Sequence, residues 1–232
     1  MNPDTLIKVL EAFTGLLKAI IWPALALFVL VRFGSALREF IANMGEFSVK
    51  GAGFEASGKR KQAEAAAALA AAGVAQQDKG ASPESAVKNT REAVELVAEV
   101  VTPRVIRRAG QSVVLWVDDR PDNNLNERHS LEALGVRFVI ATSTDEALDK
   151  LKQQSFDAII SDMGRPPDPR AGYTLLDELR ASGNRTPFII YAGSRSPEHQ
   201  AEARRRGAVG CTNRPNELFQ MVLSVFGRWT EP

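Results

Sequence analysis

Three acidic residues follow two apolar segments that are typical of buried strands. Asp118 and Asp119 come directly after Val113–Val117 (VVLWV), and Asp162 comes directly after Ala158–Ser161 (AIIS). Parallel strands end at a common edge of the sheet, so neighbouring strands would bring the three carboxylates together. Three negative charges within about 5 Å repel one another by several kcal/mol and need a cation or raised pKa values. Ligands that are all oxygen suit Mg²⁺ or Mn²⁺, so we expect one of these ions there.

The pattern between residues 111 and 228 alternates short apolar segments with amphipathic ones. Five strand–helix units in this length require crossover connections, which predict an α/β fold with a doubly wound parallel sheet covered on both faces. The predicted strands are Val113–Val117, Arg137–Ala141, Ala158–Ser161, Phe188–Tyr191 and Gly210–Thr212. The predicted helices lie near Leu125–Leu134, Thr144–Gln153, Tyr173–Ala181, Pro197–Arg206 and Asn216–Phe226.

This segment, about half of the chain, resembles the receiver domain of two-component response regulators. The resemblance rests on VVLWVDD at 113–119, AIISDMGRPP at 158–167, Gly172 at the start of the third helix and NRP at 213–215. It implies a five-stranded receiver or flavodoxin-like fold.

The resemblance also implies a role for each matching site residue. Asp162 corresponds to the acid that accepts a phosphoryl group from a histidine kinase. Asp118 and Asp119 correspond to the acidic pair that binds Mg²⁺ together with Asp162, and the backbone carbonyl of Gly164 would complete the protein ligands. A carboxylate is a competent nucleophile when a metal neutralises the incoming phosphoryl group.

Several positions depart from the family pattern. Ala192 stands where the family has Thr or Ser, and Ser194, two residues on, is the substitute hydroxyl that the sequence offers. Arg214 replaces the family's lysine, which keeps the charge but not the shape. Cys211 occupies the position of the usual aromatic residue in strand five. The lengthened loop after strand three carries two candidate anion contacts, Arg165 and Arg170.

The amino-terminal part predicts a membrane anchor. Residues 12–31 contain one charge, Lys18, and the length just suffices for a helix to cross a bilayer. A cleaved signal peptide ending near 34–36 and a soluble helix are the alternatives. Basic residues are concentrated after this segment, so we expect a single pass through the inner membrane with the carboxyl-terminal part in the cytoplasm.

The predicted organisation is an anchor at 1–44, a connector at 45–110, the receiver-like domain at 111–228 and a tail at 229–232. The connector is expected to hold a small hairpin between Phe47 and Phe54 and an alanine-rich helix at Ala63–Ala75 with little to bury. A second helix begins at Ser82-Pro83 and stops at Pro103. Its apolar seam is typical of a helix packed on its own domain or of a short parallel coiled coil; the seam consists of Val87, Thr90, Val94, Val97 and Val101.

Composition limits the functions that remain. Lys and Arg total 29 against 28 Asp and Glu, so no overall field attracts nucleic acid, and no helix-turn-helix or zinc-finger pattern follows the receiver-like part. We therefore expect a histidine kinase or other signalling protein as partner, a readout by self-association or partner binding, and no DNA. Catalysis would be limited to self-phosphorylation and self-dephosphorylation. Two alternatives stay open: a receiver-like sensor that acts at the membrane without phosphorylation, and a nucleotide-processing enzyme on the same scaffold.

Overall fold

The computed structural model describes residues 56–76, 83–193 and 196–228. Apart from Ala56 they belong to one compact unit, Ser57–Pro232. The predicted membrane segment at 12–31, the predicted hairpin, Ser194 and the tail at 229–232 lie outside the described residues. Among the helices that are described, none combines the length and apolar character that crossing a bilayer requires.

The described elements alternate along the chain after an initial helical part. The strands are β1 (Val113–Val117), β2 (Arg137–Ala141), β3 (Ala158–Ser161), β4 (Phe188–Tyr191) and β5 (Gly210–Thr212). The helices are α1 (residues 56–75), α2 (Pro83–Val100), α3 (Pro103–Ala109), α4 (Leu125–Glu132), α5 (Thr144–Gln153), α6 (Ala171–Ala181), α7 (Pro197–Arg205) and α8 (Pro215–Arg228), with a 3₁₀ turn at Pro121–Asn124 before α4.

The five strands form one parallel sheet in the order β2-β1-β3-β4-β5. This confirms the predicted α/β fold with a doubly wound parallel sheet, and the observed strands have the predicted bounds. The strands were recognisable because β1, β3 and β4 are buried on both faces, which requires an almost continuous apolar sequence.

The sheet separates two apolar layers. Alternate residues of β1 enter different layers: Trp116 packs with α4 and α8, whereas Leu115 and Val117 pack with α5 and α6. The Trp116 ring lies edge-on to Phe138 at 5.8 Å and to Tyr191 at 6.1 Å between ring centroids. The first layer is therefore organised around Trp116, directly behind the predicted acidic edge.

Helix α1 buries more than its sequence predicted. Ala65, Ala66, Leu69 and Ala70 join the first layer, so the expectation that the alanine-rich segment has little to bury was wrong. Small side chains let a helix approach its neighbours closely, and one leucine at 1% exposure supplies the bulk. About one turn before Ala65, Lys61 donates to the Leu134 carbonyl at 3.4 Å.

The seam predicted for α2 divides between two faces. Val97 and Val101 are buried in the first layer, whereas Val87 and Val94 are exposed. Helix α2 ends at Val100, and Pro103 begins α3 instead of only stopping α2. The Thr102 hydroxyl caps α3 by accepting from the Val105 N–H at 3.3 Å. The carboxyl-terminal half of α2 thus docks on the domain, and α2 and α3 both pack against α8.

We expect Val97→Ala to lower the free energy of unfolding by about 2 kcal/mol, because it removes two buried methyl groups and leaves a cavity. Val74→Ala, on α1, is the control: its side chain is 39% exposed, so the cost should stay within about 0.5 kcal/mol. Urea denaturation of the full-length chain measures both. Equal losses would show that α2 does not dock as described.

Candidate functional site

The register of β1 and β3 brings the three acidic residues to one edge. Val117 pairs with Ser161 in this register, so Asp118 and Asp162 both follow the last paired residues of neighbouring strands. The Asp162 N–H donates to the Val117 carbonyl at 2.9 Å, and the Asp118 N–H donates to the Ala141 carbonyl at the same distance. Two backbone hydrogen bonds therefore fix the backbone positions of Asp118 and Asp162.

The carboxylates converge as predicted. Asp118, Asp119 and Asp162 each offer an oxygen, and these oxygens lie within 4.8 Å of one another. Such a set of hard oxygen donors fits a divalent cation such as Mg²⁺, which accepts carboxylates and keeps several waters. The cluster opens into a cavity of about 660 Å³ that Gly164 also lines, so the predicted carbonyl ligand borders the same space.

Asp118 is the most enclosed of the three acids, with 5% exposure. One carboxylate oxygen accepts from the Arg120 N–H at 2.8 Å, and the other accepts from the Asn124 amide at 2.7 Å. Asp119 is half-buried, and its carboxylate lies 3.8 Å from the Arg120 guanidinium. Hydrogen bonds from the turn after β1 thus offset part of the repulsion.

The pKa of Asp162 reflects its burial and the repulsion within the cluster. Burial raises its pKa above the ordinary value, and the nearby charges of Asp118 and Asp119 raise it further. The Met163 N–H donates to an Asp162 carboxylate oxygen at 2.7 Å and acts in the opposite direction, as does the Arg165 charge. Asp162 is therefore the member of the cluster that an added positive charge would relieve most directly.

Gly172 lets α6 begin against the phosphoacceptor candidate. A β-carbon at this position would lie 2.8 Å from the Asp162 carbonyl oxygen, closer than such atoms approach. The Gly172 N–H donates to the Met163 carbonyl at 2.8 Å. The glycine therefore fixes the backbone around Asp162 from the helix side.

Arg165 lies beneath the cluster instead of beside its opening. Its guanidinium donates to the Ser161 hydroxyl and the Asp162 carbonyl, each at 2.7 Å, and to the Thr144 hydroxyl at 3.0 Å. The side chain is 3% exposed, its Nε–H has no hydrogen-bond partner among the described residues, and burial lowers its pKa. Arg165 is thus an internal cation that ties the loop after β3 to the start of α5.

The other predicted anion contacts are arranged differently. The Arg170 guanidinium lies 5.4 Å from the centre of the Tyr173 ring. Arg214 is mostly exposed, lies 3.8 Å from a Glu217 oxygen and lines a neighbouring cavity of about 610 Å³. Neither lines the acidic cavity, and Ser194 lies outside the described residues. The structure brings together the acids, Gly164 and, from beneath, Arg165.

Two residues that the sequence did not indicate line the site, Gln76 and Tyr191, and a third, Glu127, lies behind them. Gln76, at the end of α1, lines the acidic cavity and donates to the Tyr191 hydroxyl at 2.6 Å. That hydroxyl donates to a Glu127 carboxylate oxygen at 2.8 Å. Burial raises the pKa of Glu127, and both burial and the Glu127 charge raise the pKa of Tyr191. No local pattern marks such residues, because they come from α4, β4 and the end of α1 and meet only in the folded domain.

We expect Asp162→Asn to stabilise the fold at neutral pH. The raised pKa means that the folded state binds the Asp162 proton more tightly than the unfolded chain does. The ionised carboxylate therefore costs the folded state free energy, and this cost disappears as the pH falls through the raised pKa. After solvent screening, we expect a gain of about 1 kcal/mol at pH 7, which raises the Tm by roughly 2–4 °C.

The gain should shrink as the pH falls through the raised pKa and vanish well below the ordinary Asp pKa of about 3.9, where Asp162 in the wild type is protonated in both states. Thermal unfolding across pH measures it. Asp149→Asn, at an exposed position on α5, serves as the control and should change little. A variant that is less stable than the wild type at pH 7 would contradict the account of the repulsion.

Solved structures resemble about half of this chain and are themselves matched almost completely. The chemotaxis response regulator CheY4 of Vibrio cholerae is 28% identical with a TM-score of 0.43, and covers 49% of this chain and 98% of its own. The Francisella response regulator 1452 receiver domain is 27% identical with a TM-score of 0.46, at 50% and 98% coverage. A two-component response regulator from Clostridium difficile is 20% identical with a TM-score of 0.47, at 52% and 100% coverage.

No curated protein matches the chain. The family model described as "Response regulator receiver domain" matches residues 114–225, a segment that runs from β1 into α8 and includes all three clustered acids. The match confirms the resemblance for this segment. Residues 114–225 are therefore a response regulator receiver domain of two-component signalling.

Proposed function

We propose that the protein is a membrane-anchored receiver in which Asp162 accepts a phosphoryl group from a histidine kinase and the connector helices pass on the change. The observation that carries the proposal is the convergence of Asp118, Asp119 and Asp162 within 4.8 Å at one edge of the sheet. A cluster whose charge is only partly compensated is costly, and it suits a divalent cation together with a phosphoryl group.

The chemistry assigned to the chain's own residues is simple. One carboxylate oxygen of Asp162 forms a bond to phosphorus while the bond from phosphorus to the donor nitrogen or oxygen breaks, and the donor leaves with the electron pair. The Met163 N–H orients the carboxylate, and Arg165 fixes the adjacent carbonyl. Mg²⁺ held by the three acids and the Gly164 carbonyl would supply charge neutralisation.

The test uses the full-length protein with Mg²⁺ and acetyl phosphate, followed by intact-mass measurement. We expect the wild type and Asp149→Ala to gain one phosphoryl group, and Asp162→Ala to gain none. Removal of Mg²⁺ with a chelator should abolish the gain. Equal masses for wild type and Asp162→Ala, with no added phosphate, would contradict the phosphoacceptor role.

The proposed output runs through Gln76. This residue directly follows α1, and its side chain borders the acidic cavity and donates to the Tyr191 hydroxyl, so it joins the connector to the site. The phosphoryl group carries about 1.5 to 2 negative charges, and because its bond to Asp162 consumes the carboxylate's own charge, the net gain near these bonds is roughly 0.5 to 1 negative charge. In the phosphorylated samples, backbone amides near the end of α1 should therefore exchange hydrogen faster, and Asp162→Ala should show no change. Unaltered exchange in fully phosphorylated protein would exclude this route.

The proposed anchor is the apolar segment at 12–31, with the receiver in the cytoplasm. The support is its length, its single charge and the basic residues that follow it. We expect the full-length protein to stay in the membrane pellet after washing at alkaline pH, and a variant with Leu27→Arg and Leu30→Arg to be released. Release of the wild type would contradict an integral anchor.

A receiver that responds to a bound ligand without phosphorylation is the second candidate. It is favoured by Ala192, which has no hydroxyl at the strand-four position, and by Arg214, which lines the neighbouring cavity instead of the acidic one. In the phosphodonor experiment this candidate predicts no difference between wild type and Asp162→Ala.

A further inference from the structure

An exposed apolar stripe runs along α2. Val87 is 69% exposed and Val94 is 52% exposed, which makes them the most exposed large apolar side chains in the described part of the chain. With Ala86 and Thr90 they line a shallow, largely apolar groove of about 520 Å³, bordered by the charged ends of Arg91 and Glu95. Adjacent exposed apolar residues of this kind mark an interaction surface more often than isolated ones do.

The described part of the domain packs on α2 through a different face. Helix α2 docks through Ala93, Leu96 and Val97, which are buried in the first layer. Val87 and Val94 lie seven residues apart, two helical turns, so they share a face. The face that packs on α8 and the exposed stripe are therefore separate surfaces of the same helix.

The charges along α2 are divided between its two halves. The first half carries Glu84, Lys88 and Arg91, and the second half carries Glu92, Glu95 and Glu99. The first half is thus net +1 and the second half net −3. In two copies of α2 that run antiparallel, the basic half of each helix would therefore lie opposite the acidic half of the other.

We propose that α2 is the surface through which two copies of the chain associate, with their α2 helices antiparallel. This arrangement is a two-fold pairing of one patch with itself, the commonest symmetry of homo-oligomers. Val87 of one copy would lie opposite Val94 of the second copy, and the two Thr90 residues would meet near the axis. Each basic half would face the acidic half of the other copy.

A parallel pairing of the same stripe is disfavoured by the same charges. It would set Arg91 against Arg91 and Glu95 against Glu95 at equal heights along the dimer. Like charges placed opposite one another are unfavourable and are a common means of fixing orientation. The structure thus favours the antiparallel pair over the short parallel coiled coil that the apolar spacing alone allowed.

Disulfide cross-linking of the full-length protein distinguishes the arrangements. In a Cys211→Ala background, Val87→Cys and Val94→Cys variants with different tags are co-expressed and oxidised. The antiparallel pair predicts a covalent dimer between the two variants. Each variant alone should give several-fold less, because its own cysteines would be offset by about 10 Å along the axis. Thr90→Cys should cross-link by itself.

The control is Lys152→Cys, an exposed position on α5 away from the stripe. It gives the level of random collision, and melting curves confirm that each variant is folded. Preferential cross-linking of Val87→Cys with itself would overturn the antiparallel arrangement. No covalent dimer above the control level in any variant would overturn association through α2. The result does not depend on phosphoryl transfer, so it is independent of the test of Asp162.

Discussion

Repulsion among three carboxylates at the carboxyl edge of β1 and β3 is the constraint on which the rest of the site depends. The pairing of Val117 with Ser161 leaves no freedom in where Asp118 and Asp162 begin, because both backbone positions are fixed by ladder hydrogen bonds. The fold therefore has to compensate the charge locally. Backbone and amide donors neutralise part of it from the turn after β1, and Arg165 supplies a full positive charge from below.

The position of Arg165 connects the acidic cluster to the start of α5. A buried guanidinium is expensive to hold, and its three hydrogen bonds reach the end of β3 and the start of α5. Its attraction to the acids is strongest when they carry no other compensation. Any group that neutralises the cluster from the cavity side weakens that attraction, so charge at Asp162 and the packing of α5 are linked through one side chain.

The sequence was sufficient for the sheet and the acid cluster, and insufficient for the contacts that join distant segments. Strands such as Phe188–Tyr191 are buried on both faces, which leaves an unmistakable apolar pattern, and the edge position of Asp162 follows from topology. Leu69 and Gln76 carry no such pattern, because their partners come from α8, β4 and α4. Arg165 was expected at the opening of the cavity; its burial depends on how the loop after β3 folds.

Tyr191, at the end of β4, links the acidic site to α4 and to the end of α1 through its contacts. Tyr191 cannot turn outward without leaving the buried Glu127 carboxylate short of a hydrogen bond, and an unpaired buried carboxylate costs several kcal/mol. The same hydroxyl accepts from Gln76, and the Tyr191 ring packs against Trp116, whose indole lies 3.5 Å from Asp118. A displacement of β4 at the acidic edge must therefore be shared with α4 and the end of α1. Cys211, buried on the opposite layer, has no aromatic ring that would carry such a change elsewhere.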